Sequence, residues 1–168
     1  FSHGELQRIS IAVHVAMIPW QNLFLDQSCD ANTQFVVNRD GSFDTALTLA
    51  IRQGRDDVVR VVLQQKADVN RRAKGGLSPL VLAVQLQRVT VLPLLCQHRM
   101  MDLDVFEDGG TAMHWAAQHN VWRVVRVLVH ATADINLRHE VTGLTPLETA
   151  ASAGHWGLVR GLAMVRAE

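Results

Sequence analysis

Gly109-Gly-Thr-Ala-Met-His-Trp-Ala-Ala-Gln-His-Asn-Val-Trp-Arg-Val-Val-Arg-Val-Leu-Val-His-Ala-Thr-Ala-Asp-Ile-Asn136 decides the fold, because each of its parts has a counterpart upstream and downstream. Thr111-Ala-Met-His matches Thr45-Ala-Leu-Thr, Ser78-Pro-Leu-Val and Thr145-Pro-Leu-Glu, so the motif returns every 33 to 34 residues. A period of that length marks an array of small stacked units, none of which buries enough apolar surface alone. The chemistry of the unit is that of a helix pair. A Ser or Thr hydroxyl accepts from the orphan N–H groups of the helix it opens, and Pro79 and Pro146 stand where proline tolerates the first helical position. Ala50, Ala83, Ala116-Ala117 and Ala150-Ala151 let that helix approach its neighbours, and Gly54, Asn120 or Gly154 tolerates the left-handed geometry that ends it. A second helix follows. Its apolar residues (Val58, Val59, Val62, Leu63; Val91, Leu92, Leu95; Val124, Val125, Leu128; Leu158, Val159, Leu162) recur at the three- and four-residue steps of one buried face. Asp68-Val69-Asn70 and Asp134-Ile135-Asn136 then turn the chain towards the next unit.

This pattern resembles the ankyrin repeat, whose unit reads roughly D-x-x-G-x-T-P-L-H-x-A-A-x-x-G-H, then a V-V-x-L-L-L helix and G-A-D-V-N. Gly109 to Ala117 and Gly143 to His155 match it closely, and the two earlier copies are looser but in register. The resemblance runs from about Asp40 to Glu168. It implies an all-α ankyrin-repeat solenoid of stacked helix-turn-helix units with short β-hairpin loops, in four repeats at 40–72, 73–105, 106–138 and 139–168. Several positions depart from the pattern. Phe43 replaces the hairpin glycine, Gln87 the helix-ending glycine, and Lys66, Arg99 and Thr132 the glycine before the turn. Pro93 lies inside the second helix of the second copy, which predicts a kink or a late start there.

Residues 1–39 carry no such signature. Gly4 to Ile18 and Trp20 to Gln27 read as two helices followed by a polar loop from Ser28 to Thr33, the layout of a degenerate first repeat or divergent N-terminal helical cap, continuous with the repeats. The apolar run Ile9 to Ile18 contains Ser10 and His14 and stops at Pro19, short of the roughly 20 residues of a bilayer span, so no membrane insertion is expected. A start at Phe1 rather than methionine is what a piece excised from a longer protein gives. At the other end, Gly157 and Gly161 weaken the last helix by roughly 1 kcal/mol each relative to alanine.

With 48% hydrophobic residues the 168-residue chain can bury a core without disulfides. Cys29 and Cys96 form neither a C-x-x-C pair nor a zinc spacing, which points to a reducing, intracellular setting, cytoplasmic rather than nuclear. Sixteen Lys plus Arg against sixteen Asp plus Glu give no general attraction to nucleic acid or anionic membrane. The eight histidines have no catalytic or metal-binding arrangement: His114 and His119 are five apart rather than the four of H-E-x-x-H, and Cys96 and His98 lack a second pair. No enzyme, metal, cofactor or small-molecule substrate is therefore expected. The resemblance instead assigns His114 and His155 to hydrogen bonds with the hairpins and neighbouring loops.

Function then has to come from the surface. Offsets +4, +7 and +8 from the initial Ser or Thr share one face of the first helix, which in the family lines the concave side. These positions are Leu49, Arg52, Gln53; Leu82, Gln85, Leu86; Trp115, Gln118, His119; and Thr149, Ser152, Ala153. Leu82, Leu86 and Trp115 are the large apolar side chains expected to be exposed, a ledge for a partner's proline or aliphatic group; alternatively Trp115 fills the layer between repeats. Trp122 and Trp156 share offset +11 and are expected to pack on one another. The loop with Arg71, Arg72 and Lys74 stands beside the loop with Asp102, Asp104, Glu107 and Asp108, so adjacent fingers of opposite sign either orient a mixed-charge ligand or attract each other. Trp115 has only Leu82 at the matching place, one wall rather than a cage for methylated lysine, and the spacing from Leu128 to Asn136 at which some family asparagines are hydroxylated serves the repeat's own turn. Partner contacts are therefore expected at Arg52, Gln53, Leu82, Gln85, Leu86, Trp115, Gln118 and His119 in the groove and at Arg72, Lys74, Asp104 and Glu107 on the tips. The expected role is non-catalytic recognition of a protein or peptide by a monomer. The alternative is an intramolecular regulatory or scaffolding segment of a larger enzyme, channel or adaptor.

Overall fold

The computed structural model describes residues 34–36, 43–72 and 77–165. The two helices expected at Gly4 to Ile18 and Trp20 to Gln27 lie outside the described residues, as does Lys74. The chain divides into two compact units, residues 1–79 and 80–168.

In the first unit, β1 (Gln34–Val36) pairs antiparallel with β2 (Phe43–Thr45), with Phe35 opposite Asp44. β2 runs directly into α1 (Ala46–Gln53), which packs on α2 (Asp56–Gln64). Thr45 opens α1 as its sequence position requires. The Thr48 N–H donates to the Thr45 hydroxyl at 3.1 Å, while the Thr45 N–H donates to the Thr48 hydroxyl at 2.8 Å, so two otherwise orphaned donors are satisfied reciprocally. Leu47, Ile51, Val58, Val59 and Val62 make the core of this pair.

The second unit contains α3 (Pro79–Gln85), whose first residue lies at the division, then α4 (Leu92–Cys96), α5 (Ala112–Gln118), α6 (Trp122–His130), α7 (Pro146–Ser152) and α8 (Trp156–Val165). α5 stacks on α7, each is backed by the helix that follows it, and α4 lies against α6. Ala112, Ala116, Ala117 and Ala150 are completely buried, which is why the first helices can approach so closely. The second helices present Val124, Val125, Leu128, Leu158 and Leu162 inward, on the face their spacing marks.

The first helix ends in the same way in all four copies. The N–H groups of Arg55, Arg88, Val121 and His155 donate to the carbonyls of Ala50, Ala83, Ala116 and Ala150 at 2.8 to 3.0 Å. The turn needs a left-handed residue, supplied by Gly54 (φ 69°), Asn120 (56°) and Gly154 (77°), and Gln87 adopts φ 52° rather than altering the turn. Lys66 and Thr132 likewise take φ 60° and 67° after the second helices, and Arg99 does not. Thr132 is the most strained of these, since a β-branched side chain crowds that conformation.

Pro93 produces the late start. α4 begins at Leu92, three residues later in its copy than α2, α6 and α8 do in theirs, and Pro93 falls in its first turn, where a missing N–H costs nothing. The expected pairing of Trp122 with Trp156 does not occur: among the described residues the two indoles form no ring pair, and Trp122 lies on Gly161 of α8 instead. A Cβ at Gly161 would stand 2.6 Å from the Trp122 ring, whereas a Cβ at Gly157 would meet nothing within 4 Å. Gly157→Ala should therefore raise stability by up to about 1 kcal/mol in urea unfolding, and Gly161→Ala should lower it despite the same gain in helix propensity. Equal gains from both would remove the packing role assigned to Gly161.

Candidate partner-binding face

The third copy builds the most complete surface, and His114 anchors it. The Thr111 N–H donates to His114 Nδ1 at 3.1 Å, the Thr111 hydroxyl lies 2.9 Å from the same nitrogen, and Nε2 stands 3.0 Å from the Leu144 carbonyl. An amide donor on one side and a carbonyl acceptor on the other fix the neutral tautomer with hydrogen on Nε2. Burial holds the His114 pKa below the usual histidine range; the Leu144 carbonyl opposes this and neighbouring His139 adds to it. His155 makes a second link between copies, its Nε2–H donating to the Gln118 carbonyl at 2.9 Å.

The finger above α5 is a tight hairpin. Glu107 and Gly110 exchange N–H to carbonyl bonds of 2.8 and 3.0 Å, and Asp108 and Gly109 between them both have positive φ, 52° and 81°, the geometry of a type I′ turn. The paired glycines also admit the His139 ring, which meets the His114 ring edge to face with centroids 5.6 Å apart. A Cβ would come within 2.8 Å of that ring at Gly109 and 2.9 Å at Gly110. The Glu140 N–H then donates to the Gly109 carbonyl at 2.7 Å, tying the finger to the next one.

Between the finger and the helices lies a concavity of about 100 Å³, lined by Val81 and Gln85 of α3, Glu107 and Asp108 of the finger, His114, Trp115 and Gln118 of α5, Thr149 of α7 and His139. Trp115 is half-buried, and its ring rests on the exposed His119 ring one turn later, centroids 4.2 Å apart and planes 33° from parallel. The surface thus offers one propped indole face, two side-chain amides and two carboxylates. Asp104 accepts from the Asp134 N–H at 2.9 Å, and its carboxyl is pushed above the usual range by burial and then by the charges of Asp134 and Asp102.

Of the residues singled out in the sequence, Gln85, Glu107, Trp115 and Gln118 line this one concavity, with His119 beside them. Leu82 is a correction: it is 2% exposed and belongs to the core. Offset +4 lies at the edge of the inward face, so leucine at 49 and 82 folds in while tryptophan at 115 is too long to do so. Leu86 is exposed but does not line the concavity. In the first unit, Gln53 and Arg72 are exposed, and Arg52 reaches back to within 3.2 Å of the buried Asp44 carboxylate. His139 was not anticipated, although the Gly109-Gly110 pair over which it lies was visible in the sequence.

His114 makes stability depend on pH. Its folded pKa lies below the unfolded value of 6.5, so its contribution is fully present above pH 6.5 and is lost as the pH falls through that value towards the folded pKa. Protonation would also place hydrogen on Nδ1, facing the Thr111 amide. Urea midpoints measured across this window should fall more steeply for the wild-type chain than for His114→Gln, and parallel curves would show that the imidazole is not the titrating group.

Models of ankyrin repeats match residues 69–139 and 98–168 as arrays of three copies, and the single-repeat model matches 43–74. The chain is 33% identical over 133 residues, 79% of its length, to neurogenic locus notch homolog protein 1 of Xenopus laevis, and 32% identical over 117 residues to its human counterpart. Human ankyrin repeat and KH domain-containing protein 1 is 37% identical over 106 residues. The chain spans 4 to 5% of the length of these relatives. With matches running from residue 43 to 168, phased on the capped helices and left-handed turns described above, the chain belongs to the ankyrin-repeat family, whose domains are typically non-catalytic modules of protein–protein interaction.

Proposed function

We propose that this chain binds a protein partner across the concave face of its second unit, with Trp115 at the centre of the contact. The supporting observation is the half-buried indole propped by His119 beside a concavity that Gln85, Gln118, Glu107 and Asp108 line with donors and acceptors. Tryptophan gives much contact area for little lost rotamer freedom, and the amides around it can satisfy a partner's backbone. The charged tips orient the partner, and the setting is intracellular, on the cysteine argument.

A second reading has its own support. Because the chain spans only 4 to 5% of its relatives' length, and one relative is named for ankyrin repeats together with a KH domain, the same face can serve another segment of a longer polypeptide as a regulatory or scaffolding contact.

The two readings separate in one experiment. Wild-type chain and a Trp115→Ala, His119→Ala variant, both shown by circular dichroism to fold, are used to capture proteins from cell lysate. Loss of at least about tenfold in a captured protein from the variant is expected. Identical capture by both would remove the concave face as the site, and capture of nothing by either would favour the intramolecular reading.

A further inference from the structure

The formal charge of zero conceals a segregation within the second unit. Residues 80–101, 109–133 and 149–165 contain no Asp or Glu, and its described carboxylates lie in 102–108, 134–140 and at Glu148. Apart from Glu148 on α7, arginine is the only formally charged residue on its described helices, and it stands on α6 and α8. On α6, Trp122, Arg126 and His130 stand four residues apart and are all exposed; on α8, Trp156, Arg160 and Met164 repeat that ridge. The helices are neighbours, since Trp122 rests on Gly161, and Trp156 is 68% exposed. Among the described residues no carboxylate pairs with Arg123, Arg126 or Arg160. On the other side of α6, the short α4 leaves a recess of about 360 Å³ lined by Pro93, Cys96, Gln97, Val127, His130 and Ala131, so His130 belongs to both recess and ridge.

From this we infer a second docking surface, formed by the outer faces of α4, α6 and α8, for an acidic amphipathic helix of a protein partner. One of its apolar side chains fills the recess, its carboxylates pair with Arg126 and Arg160, and its apolar flank covers Trp156. Exposed Trp beside unpaired Arg is the composition of an interface anchor, and a face with no acid selects for one. A nucleic acid is disfavoured because the recess is mostly apolar and would leave phosphates without donors, while three arginines neutralise few of them. An anionic bilayer is disfavoured because the fingers of the same unit are acidic.

The probe is a fluorescein-labelled peptide of about 16 residues built from Glu, Leu and Ala, with Leu at helical i, i+3, i+4 and i+7 spacing, read by anisotropy on the full chain. Arg126→Glu and Arg160→Glu should each weaken binding about tenfold, Trp156→Ala should weaken it comparably, and higher salt should do the same to the wild type. Lys66→Glu, the same change of charge on an exposed residue of the first unit, should leave binding unchanged. In a Cys29→Ser background the bound peptide should slow alkylation of Cys96. Unchanged exposure of the recess in the presence of bound peptide, seen as unaltered Cys96 alkylation, overturns the proposal. So does absence of binding, equal binding to the peptide with Lys for Glu, or equal weakening by Lys66→Glu. Tighter binding of oligouridylate or phosphatidylserine vesicles than of the acidic peptide would reassign the surface. Because Trp115 and His119 take no part in this readout, failure here leaves the concave-face reading to its own test.

Discussion

A seven-residue helix leaves most of its backbone donors and acceptors unsatisfied within itself, so this chain depends on how its helix ends are bonded. At the start of α5, Thr111 and His114 satisfy each other's neighbourhood; at its end, the Val121 N–H closes on the Ala116 carbonyl. What makes the third copy different from a merely capped helix is that the same imidazole reaches outward to Leu144. One buried ring therefore caps its own helix and binds the finger of the next copy. Removing it would leave a backbone donor at Thr111 and an acceptor at Leu144 to find other partners.

The concave face inherits its shape from that linkage. His139 can lie on Gly109 and Gly110 only because the hairpin turns through two left-handed residues, and the ring in turn meets His114. Trp115, the residue after His114, is thus carried on a helix held from both ends. The outer surface follows a different logic. There the small residue at 161 receives Trp122, and the helix shortened by Pro93 leaves space beside α6. Acidic fingers and arginine-bearing helices give the second unit two faces of unlike chemistry, although the chain as a whole is neutral.

Thr45, Ser78, Thr111 and Thr145 made the period legible, and the alanines and helix-ending residues made the architecture legible, because both are dictated by local backbone needs. Pro93 announced the late start of α4 for the same reason. Orientation across copies was harder to read. Leu82 and Trp115 share an offset, but leucine is short enough to turn into the core and tryptophan is not. Trp122 and Trp156 also share an offset, yet the first settles on Gly161, a contact that depends on the absence of a side chain in another helix. His139 escaped notice because its role exists only once two fingers are brought together. Local rules thus located the elements, while the contents of the surface depended on pairs distant in sequence.

If α5 and α7 form one cooperative body through His114, native-state hydrogen exchange of the wild type and His114→Ala should reveal it directly. The Val121 and His155 amides, which close α5 and α7, should lose protection together and by the same factor in the variant. Loss at Val121 with His155 unchanged would show that the two helices open independently, and would contradict the account of how this face is held.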